Sequence, residues 1–165
     1  MYILGDVLKG RAHQNKGDVM KLQTTWIEKM KFVAEADHHQ VEMDTQSPIG
    51  SDTALSPKQL LLAGICGCTG MDVVALLKKY SQPLESFQVE VDAISTEGVQ
   101  PAVFKSVSLR FKLKGELDAT KVLESITLSQ TKYCGVSAMI AKSVPITYTV
   151  ELNGKPIGSG HADFG

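Results

Sequence analysis

Apolar and polar residues alternate along three stretches of the chain, and this alternation predicts strands. Residues 24–44 alternate loosely and are divided by the turn-like sequence at 37–39, a pattern that predicts a β-hairpin. Residues 87–93 and 106–113 alternate with a period of two, which is typical of half-buried antiparallel strands. We therefore expect a hairpin near the amino terminus and a second pair of strands in the middle of the chain.

A long apolar helix is predicted between these two groups of strands. Ser56 suits the N-cap position, and Pro57 suits the first helical position, where its missing N–H costs nothing. The helix should run from Pro57 to about Tyr80, and residues 59–74 are apolar on almost every face. Since a helix that is apolar all round is usually buried, we interpret it as the core helix.

The carboxyl-terminal part is expected to contain two helices and a final hairpin. Apolar residues at helical spacing predict a helix over 117–128, an irregular turn over 129–134 and a second short helix over 135–144. The last strand is expected over 146–152, followed by the hairpin turn Asn153-Gly154. This order of elements favours an α+β fold over a parallel β-α-β fold.

Length and composition indicate one ordinary domain. The chain has 165 residues, of which 43% are hydrophobic and 21% are charged, so neither disorder nor a fibrous architecture is indicated. We assign residues 20–165 to the domain and interpret residues 1–19 as an N-terminal arm or an extra strand.

The charge balance and the lengths of the apolar runs indicate which binding partners and which cellular location to expect. With 17 basic and 18 acidic side chains, the chain has no field that would attract nucleic acid. The longest strongly apolar run, residues 60–68, is shorter than the ~20 residues that cross a bilayer, and the amino terminus does not resemble a secretory signal. We therefore expect a cytoplasmic protein that binds neither nucleic acid nor membranes.

Three cysteines are the candidates for chemistry, and in a reducing compartment we expect them to be thiols. Cys68 lies in the most apolar part of the predicted helix, where packing and chemistry are both open as explanations. Cys66 lies about 200° round the helix from Cys68, so we interpret it as a packing residue. Cys134 stands at the expected start of a helix, where the helix dipole lowers the pKa of a thiol, so this position suits a thiolate.

A metal or cofactor is not expected. Two cysteines in a Cys-x-Cys arrangement within a helix point apart, and the four histidines lack the paired spacing of zinc ligands. His38 and His39 fall in a predicted turn, while His13 and His161 lie near the termini, so we expect all four to be solvated. The sequence also lacks the motifs of serine hydrolases, P-loop proteins and zinc peptidases.

Two cysteine-containing motifs occur in a characteristic order. Ser56-Pro57-Lys58-Gln59-Leu60 precedes Cys68 by one helical stretch, and Tyr133-Cys134-Gly135-Val136-Ser137 follows later. Together they resemble the OsmC/Ohr family, the organic hydroperoxide reductase group, over residues 26–152. The sequence Gly-Cys-Thr-Gly-Met-Asp-Val-Val around Cys68 is similar in particular to the OsmC-like branch typified by YhfA. The resemblance implies an intertwined α+β homodimer, with a buried central helix packed against antiparallel sheets.

The resemblance also implies a peroxide-reducing cycle for the two thiols. Cys68 would attack an organic hydroperoxide and become a sulfenic acid, Cys134 would resolve it to a disulfide, and an external dithiol would restore both. In the family a glutamate follows the helix-starting proline and an arginine comes from an early strand. Here Lys58 occupies the glutamate position, so Lys58 and Arg110 are the candidates to stabilise the thiolate.

Two other interpretations stay open. An OsmC-like dimer that binds a small hydrophobic ligand, or that takes part in a stress response without turnover, would keep both thiols reduced in the presence of peroxide. A purely structural interpretation makes the cysteines core filler, in which case replacing Cys68 or Cys134 by alanine would have no consequence.

Overall fold

The computed structural model describes residues 19–165, so the arm expected over 1–19 lies almost entirely outside the described residues. The described part has an α+β fold, as predicted. In chain order its elements are β1 Gln23–Glu28, β2 Lys31–Ala36, β3 His39–Met43, α1 Pro57–Lys79, β4 Leu84–Ser95, β5 Phe104–Gly115, α2 Ala119–Leu128, the π-helical turn Ser129–Tyr133, α3 Gly135–Ala141, β6 Ile146–Leu152 and β7 Lys155–His161. The chain divides into two compact units whose boundary falls after Leu60, inside α1.

The first unit contains a three-stranded antiparallel sheet in the order β1-β2-β3. The hairpin predicted over 24–44 is therefore two hairpins: the expected turn joins β2 to β3, and a second turn at Lys29 and Met30 joins β1 to β2. Lys29 adopts a φ of 43°, a left-handed conformation that glycine or asparagine usually marks. Because neither residue type occurs there, this turn carried no signal in the sequence.

Helix α1 begins at Pro57, as predicted. Ser56 and Gln59 cap it reciprocally: the Gln59 N–H donates to Ser56 Oγ over 3.4 Å, and the Ser56 N–H donates to Gln59 Oε1 over 2.8 Å. Lys78 and Lys79 occupy the last turn, where the helix dipole favours positive charge. Both ends of the helix are thus specified by local sequence.

The expectation that α1 is buried on every side is wrong for the single chain. Ile65, Val73 and Leu77 are fully buried in the core of the second unit. On the other side of the helix Met71 is 75% exposed, and Leu61, one turn before Ile65, is 47% exposed. Packing within the described part of the chain therefore does not account for the apolar residues on this side.

By length and composition alone, α1 is long and apolar enough to cross a membrane, with a mean hydropathy of 2.1 in its most apolar window. The unbroken apolar run over 60–68 is too short to span a membrane, but the apolar window of α1 extends beyond this run. The core helix of a globular domain can have the same length and composition. In α1 the buried side carries Thr69 and Asp72, which are hydrogen-bonded to a neighbouring segment, as in a helix packed within a folded unit.

The second unit is built on a four-stranded sheet in the order β4-β5-β6-β7. The predicted antiparallel pairing of β4 with β5 is confirmed, and β6 and β7 form the predicted hairpin. Strands β5 and β6 are parallel, which the sequence analysis did not predict. They are parallel because α2 and α3 form a crossover between them, and such a connection returns the chain in the same direction.

Helices α2 and α3 are joined by a π-helical turn where an irregular turn was predicted. A π turn inserts an extra residue and shifts the residues that follow it around the axis. Ser129 and Gln130 in this turn are fully buried. The turn ends at Cys134, whose backbone is extended (φ −71°, ψ 99°) and which is the N-cap residue of α3. This turn therefore determines where Cys134 lies.

Candidate functional site

The two predicted catalytic residues lie side by side in the second unit. A donor atom from each of Cys68, Cys134 and Asp72 lies within 4.8 Å of the other two, which puts both sulfur atoms next to a carboxylate oxygen. Cys68 is partly exposed, whereas Cys134 and Asp72 are buried. The structure thus brings the two predicted thiols together and adds a carboxylate that the sequence analysis did not select.

Helix geometry explains why Asp72 joins the thiols. Residues four apart on an α-helix lie one turn along the axis and about 40° apart around it, so Cys68 and Asp72 point in similar directions. Cys68 stands where the two sides of α1 meet, between the exposed Gly67 and the buried Thr69. The signal for Asp72 was present in the sequence: a carboxylate in an apolar helix, one turn after a cysteine, requires buried partners.

A buried hydrogen-bond network connects α1 to the π turn. Ser129 Oγ donates to Asp72 Oδ2 over 3.2 Å. Ser129 Oγ also lies 2.8 Å from Thr69 Oγ1, and Gln130 Nε2 donates to Thr69 Oγ1 over 2.8 Å. Because the Ser129 hydroxyl donates its proton to Asp72, it accepts the hydrogen bond that it shares with Thr69. All three hydrogen bonds in this series therefore donate in the direction of the Asp72 carboxylate. The network holds the segment that precedes Cys134 against the helix that carries Cys68.

One buried polar atom of this network, Gln130 Oε1, has no hydrogen-bond partner among the described residues. The amide nitrogen of the same Gln130 side chain is bonded to Thr69, and the backbone N–H of Ser137 donates to Cys134 Sγ over 3.3 Å. Unpaired buried polar atoms are rare in folded proteins and call for an explanation, such as a bound water or ion.

Cys134 is not the thiolate that its position in the sequence suggested. Loss of contact with water raises the pKa of the Cys134 thiol to about 11. Hydrogen bonds from the Ser137 side chain and from the Ser137 N–H both lower this pKa, but burial outweighs them, and the adjacent Cys68 thiol raises it further. Cys134 is therefore a neutral thiol at neutral pH. The expected dipole effect fails because the helix start is buried together with the sulfur.

Arg110 takes part in a surface charge network. Its guanidinium pairs with Glu90 over 2.9 Å and with Asp92 over 2.6 Å. Glu90 also pairs with Lys112 over 2.6 Å, so these four residues form one network across β4 and β5. Lys58 lies in the first turn of α1, in the first unit. A thiolate-stabilising role for Lys58 or Arg110 stays a prediction.

The remaining cysteine and the described histidines are not among the clustered donors. Cys66 packs against the core of the second unit, and burial raises its pKa, as expected of a packing thiol. His38 and His39 are exposed in the first unit, and His161 is exposed on β7. His13 lies outside the described residues. The Cys-x-Cys pair thus contributes only Cys68 to the candidate site.

The chain is similar to one known protein family and to curated proteins. The family model for OsmC-like protein matches residues 50–149. The chain is 33% identical over 135 residues to Protein YhfA of Escherichia coli strain K12, a match that covers 81% of this chain and 98% of that protein. Protein YhfA of Shigella flexneri matches with the same identity and coverage.

Solved structures share the fold. An OsmC-like protein from Mycoplasma pneumoniae superposes with a TM-score of 0.73 at 13% identity, covering 83% of this chain and 99% of that one. An organic hydroperoxide resistance protein from Elizabethkingia anophelis superposes with a TM-score of 0.66 at 14% identity, covering 85% and 100%. An organic hydroperoxide resistance protein OsmC from Legionella pneumophila gives 0.63 at 15% identity, covering 83% and 99%.

Proposed function

Because the chain belongs to the OsmC-like protein family, we propose that it reduces organic hydroperoxides with Cys68 as the peroxidatic thiol and Cys134 as the resolving thiol. The observation that carries the proposal is the approach of the two sulfur atoms to within 4.8 Å. Thiols this close can form a disulfide after modest rotation of the side chains. The organic hydroperoxide resistance proteins among the structural neighbours support a peroxide as the substrate.

The proposed cycle has three steps. The Cys68 sulfur attacks the outer oxygen of the hydroperoxide, the O–O bond breaks, an alcohol leaves with the thiol proton, and Cys68 becomes a sulfenic acid. The Cys134 sulfur then attacks the Cys68 sulfur, the S–O bond breaks, and water leaves as the disulfide forms. An external dithiol reduces this disulfide and is itself oxidised. We place the cycle in the cytoplasm, where dithiol reductants are available.

The difference in solvent exposure determines which of the two thiols reacts first. Cys68 is partly exposed and borders the exposed apolar side of α1, so it is accessible to a dissolved hydroperoxide. Cys134 is 0% exposed, and the sulfur of Cys68 lies within 4.8 Å of its own sulfur. Cys68 is therefore the thiol that meets the substrate, and Cys134 is the one that meets the sulfenic acid.

We further propose that two copies of the chain pair through the exposed side of α1. Met71 is 75% exposed on this side, and Leu61, at its border, is 47% exposed. A methyl group added at Gly64 or Gly67 would meet no atom within 4 Å among the described residues, so a second helix can approach closely here. A partner seated on this side would complete an apolar wall beside Cys68, which favours an organic hydroperoxide over hydrogen peroxide.

The peroxidase proposal is tested by following the loss of cumene hydroperoxide with dithiothreitol as the electron donor. The unmodified protein should consume the peroxide repeatedly, and Cys68→Ser should abolish consumption because the attacking sulfur is gone. Cys66→Ser is the matched control, since Cys66 lies on the same helix but outside the pair, and it should retain activity. Equal rates for Cys68→Ser and the unmodified protein would refute the assignment.

A second candidate function is favoured by the position of Arg110. Its guanidinium pairs with Glu90 and Asp92 in the surface charge network, so the arginine that was a candidate to stabilise the thiolate is bound to two carboxylates. An OsmC-like dimer that binds a small hydrophobic ligand would need no such charge. Thiols that stay reduced under cumene hydroperoxide, together with saturable binding of an apolar fluorescent probe, would favour this function over the peroxidase.

A further inference from the structure

We infer that the reduced protein binds one thiophilic divalent cation, such as zinc, between Cys68, Asp72 and Cys134. The three donor atoms lie within 4.8 Å of one another. Zinc binds cysteine sulfur at about 2.3 Å and carboxylate oxygen at about 2.0–2.2 Å, so neighbouring ligands of one tetrahedral ion lie roughly 3.5–3.8 Å apart. Small side-chain rotations would bring the three donors to these distances.

The donor set selects the kind of ion. Two thiolates and one carboxylate suit zinc and similar transition metals, whereas magnesium and calcium require oxygen donors only. Three protein ligands would leave a fourth coordination position for water or another small ligand. Binding replaces the two thiol protons by the cation and releases these protons to solvent. A dication also offsets the charge that two buried thiolates and a carboxylate would otherwise carry together.

The surroundings of the three donors provide a second, independent observation. Metal ligands are usually oriented by further hydrogen bonds, and Asp72 accepts one from Ser129 Oγ over 3.2 Å. The Ser137 N–H donates to Cys134 Sγ over 3.3 Å and would continue to stabilise a thiolate there.

Gln130 Oε1 is buried and has no hydrogen-bond partner among the described residues, while the nitrogen of the same amide bonds Thr69 in the network around Asp72. This oxygen can accept a hydrogen bond from a water on the ion, which would give it a partner.

The sequence expectation of no metal weighed the three cysteines and the histidines as ligands and left out Asp72. Cys66 packs against the core of the second unit, and the described histidines are exposed. Asp72 takes the place of those ligands, and Cys134 is brought to it by the π turn. A Cys-x-x-x-Asp pair on one side of a helix is the local part of the site, and only the fold supplies the third donor.

Binding of the ion and formation of the disulfide would exclude each other, because both use the sulfurs of Cys68 and Cys134. A bound ion should slow the reaction of the thiols with peroxide, and oxidation to the disulfide should release the ion. This consequence rests on the proposed peroxidase cycle, whereas binding of the ion does not. The two ideas are therefore separable: metal binding is measured without peroxide, and peroxide reactivity is measured in metal-free buffer.

The experiment titrates the reduced, metal-free protein with zinc in competition with a chromophoric chelator, and with cobalt as a spectroscopic probe. We expect saturation at one ion per chain, with thiolate-to-cobalt charge-transfer absorption and the intense visible bands of tetrahedral cobalt. Cys68→Ser and Cys134→Ser should each lose the charge-transfer intensity and most of the affinity. Cys66→Ser should bind like the unmodified protein, as the matched control.

Asp72→Asn tests the carboxylate donor and should weaken zinc binding by at least about tenfold. Circular dichroism verifies its folding; if it does not fold, Asp72→Glu, which keeps the charge but moves the oxygen, replaces it and should show altered cobalt bands. Absence of saturable binding to the unmodified protein would overturn the inference. So would binding that is lost in Cys66→Ser, or binding that is unchanged in Cys68→Ser or in the folded Asp72 variant.

Discussion

The sulfur atoms of Cys68 and Cys134 lie within 4.8 Å of each other, although one residue lies on the long helix α1 and the other caps the short helix α3. Their approach depends on the joint between α1 and the π turn. That joint consists of the buried hydrogen bonds of Thr69 with Ser129 and Gln130. A substitution in the joint should therefore affect both the stability of the second unit and the pairing of the two thiols.

Thr69→Val tests this joint. Valine matches the shape of threonine but lacks the hydroxyl, so Gln130 Nε2 loses its acceptor and Ser129 Oγ loses a donor. Leaving such groups buried and unpaired should lower the free energy of unfolding by about 1–3 kcal/mol, as measured by urea denaturation.

Thr69→Ser is the matched control for this change, because it keeps the hydroxyl and removes only a methyl group. It should be closer in stability to the unmodified protein than Thr69→Val is. If the two variants are equally destabilised, the hydroxyl contributes nothing and the loss arises from packing alone.

Pairing of two chains through α1 is tested at Met71, which is 75% exposed. Met71→Glu would place a carboxylate in the apolar interface, where burying an unpaired charge is strongly unfavourable. We expect light scattering to show a dimer for the unmodified protein and a monomer for this variant. Met139→Glu on α3, where the methionine is 66% exposed, is the control and should stay dimeric. A monomeric unmodified protein, or dissociation by both variants alike, would contradict the proposed interface.

Local signals accounted for most of the predicted fold. Ser56 and Pro57 marked the start of α1, and the alternation in β4 and β5 marked a strand pair, because caps and period-two patterns are properties of neighbouring residues. The parallel pairing of β5 with β6 was not predicted, since strand direction depends on how the intervening helices pack. The exposed side of α1 was missed because hydrophobic pattern alone does not tell whether a side is covered by the same chain or by another.

Only some features of the candidate site could likewise be predicted from local sequence. Both candidate cysteines were identified from their sequence contexts, but their proximity depends on the fold. Asp72 was passed over because, although a carboxylate in an apolar helix requires buried partners, the sequence does not identify which residues they are. The pKa of Cys134 was expected to be low from its place at a helix start. Burial reversed the direction, and burial at that position depends on long-range packing.

Asp44 should make the loop between β3 and α1 sensitive to acid. Its carboxylate accepts the Thr45 N–H over 2.8 Å, the Ser51 N–H over 3.1 Å, and both the N–H and the hydroxyl of Thr53 over 3.2 and 2.9 Å. These hydrogen bonds, led by the one from Thr45, lower the pKa of Asp44 below its usual value of 3.8. The ionised carboxylate is therefore favoured in the folded protein.

The direction of the acid effect follows from this lowered pKa. The stabilisation is present above the unfolded pKa and is lost as the pH falls through the lower folded pKa. Asp44→Asn should unfold at lower urea concentration than the unmodified protein at neutral pH, and the difference should shrink as the pH falls below 3.8. Urea denaturation of both proteins across this range checks the prediction. A difference that does not change with pH would mean that the charge of Asp44 is not involved.

The pairing of Cys68 with Cys134 is tested most directly by adding one equivalent of cumene hydroperoxide to the reduced, metal-free protein and then mapping the oxidised peptides. We predict rapid loss of two thiols per chain and a peptide pair joined by a disulfide between Cys68 and Cys134, in the unmodified protein and in Cys66→Ser alike. Slow and unselective oxidation, or a disulfide that includes Cys66, would contradict the proposed cycle.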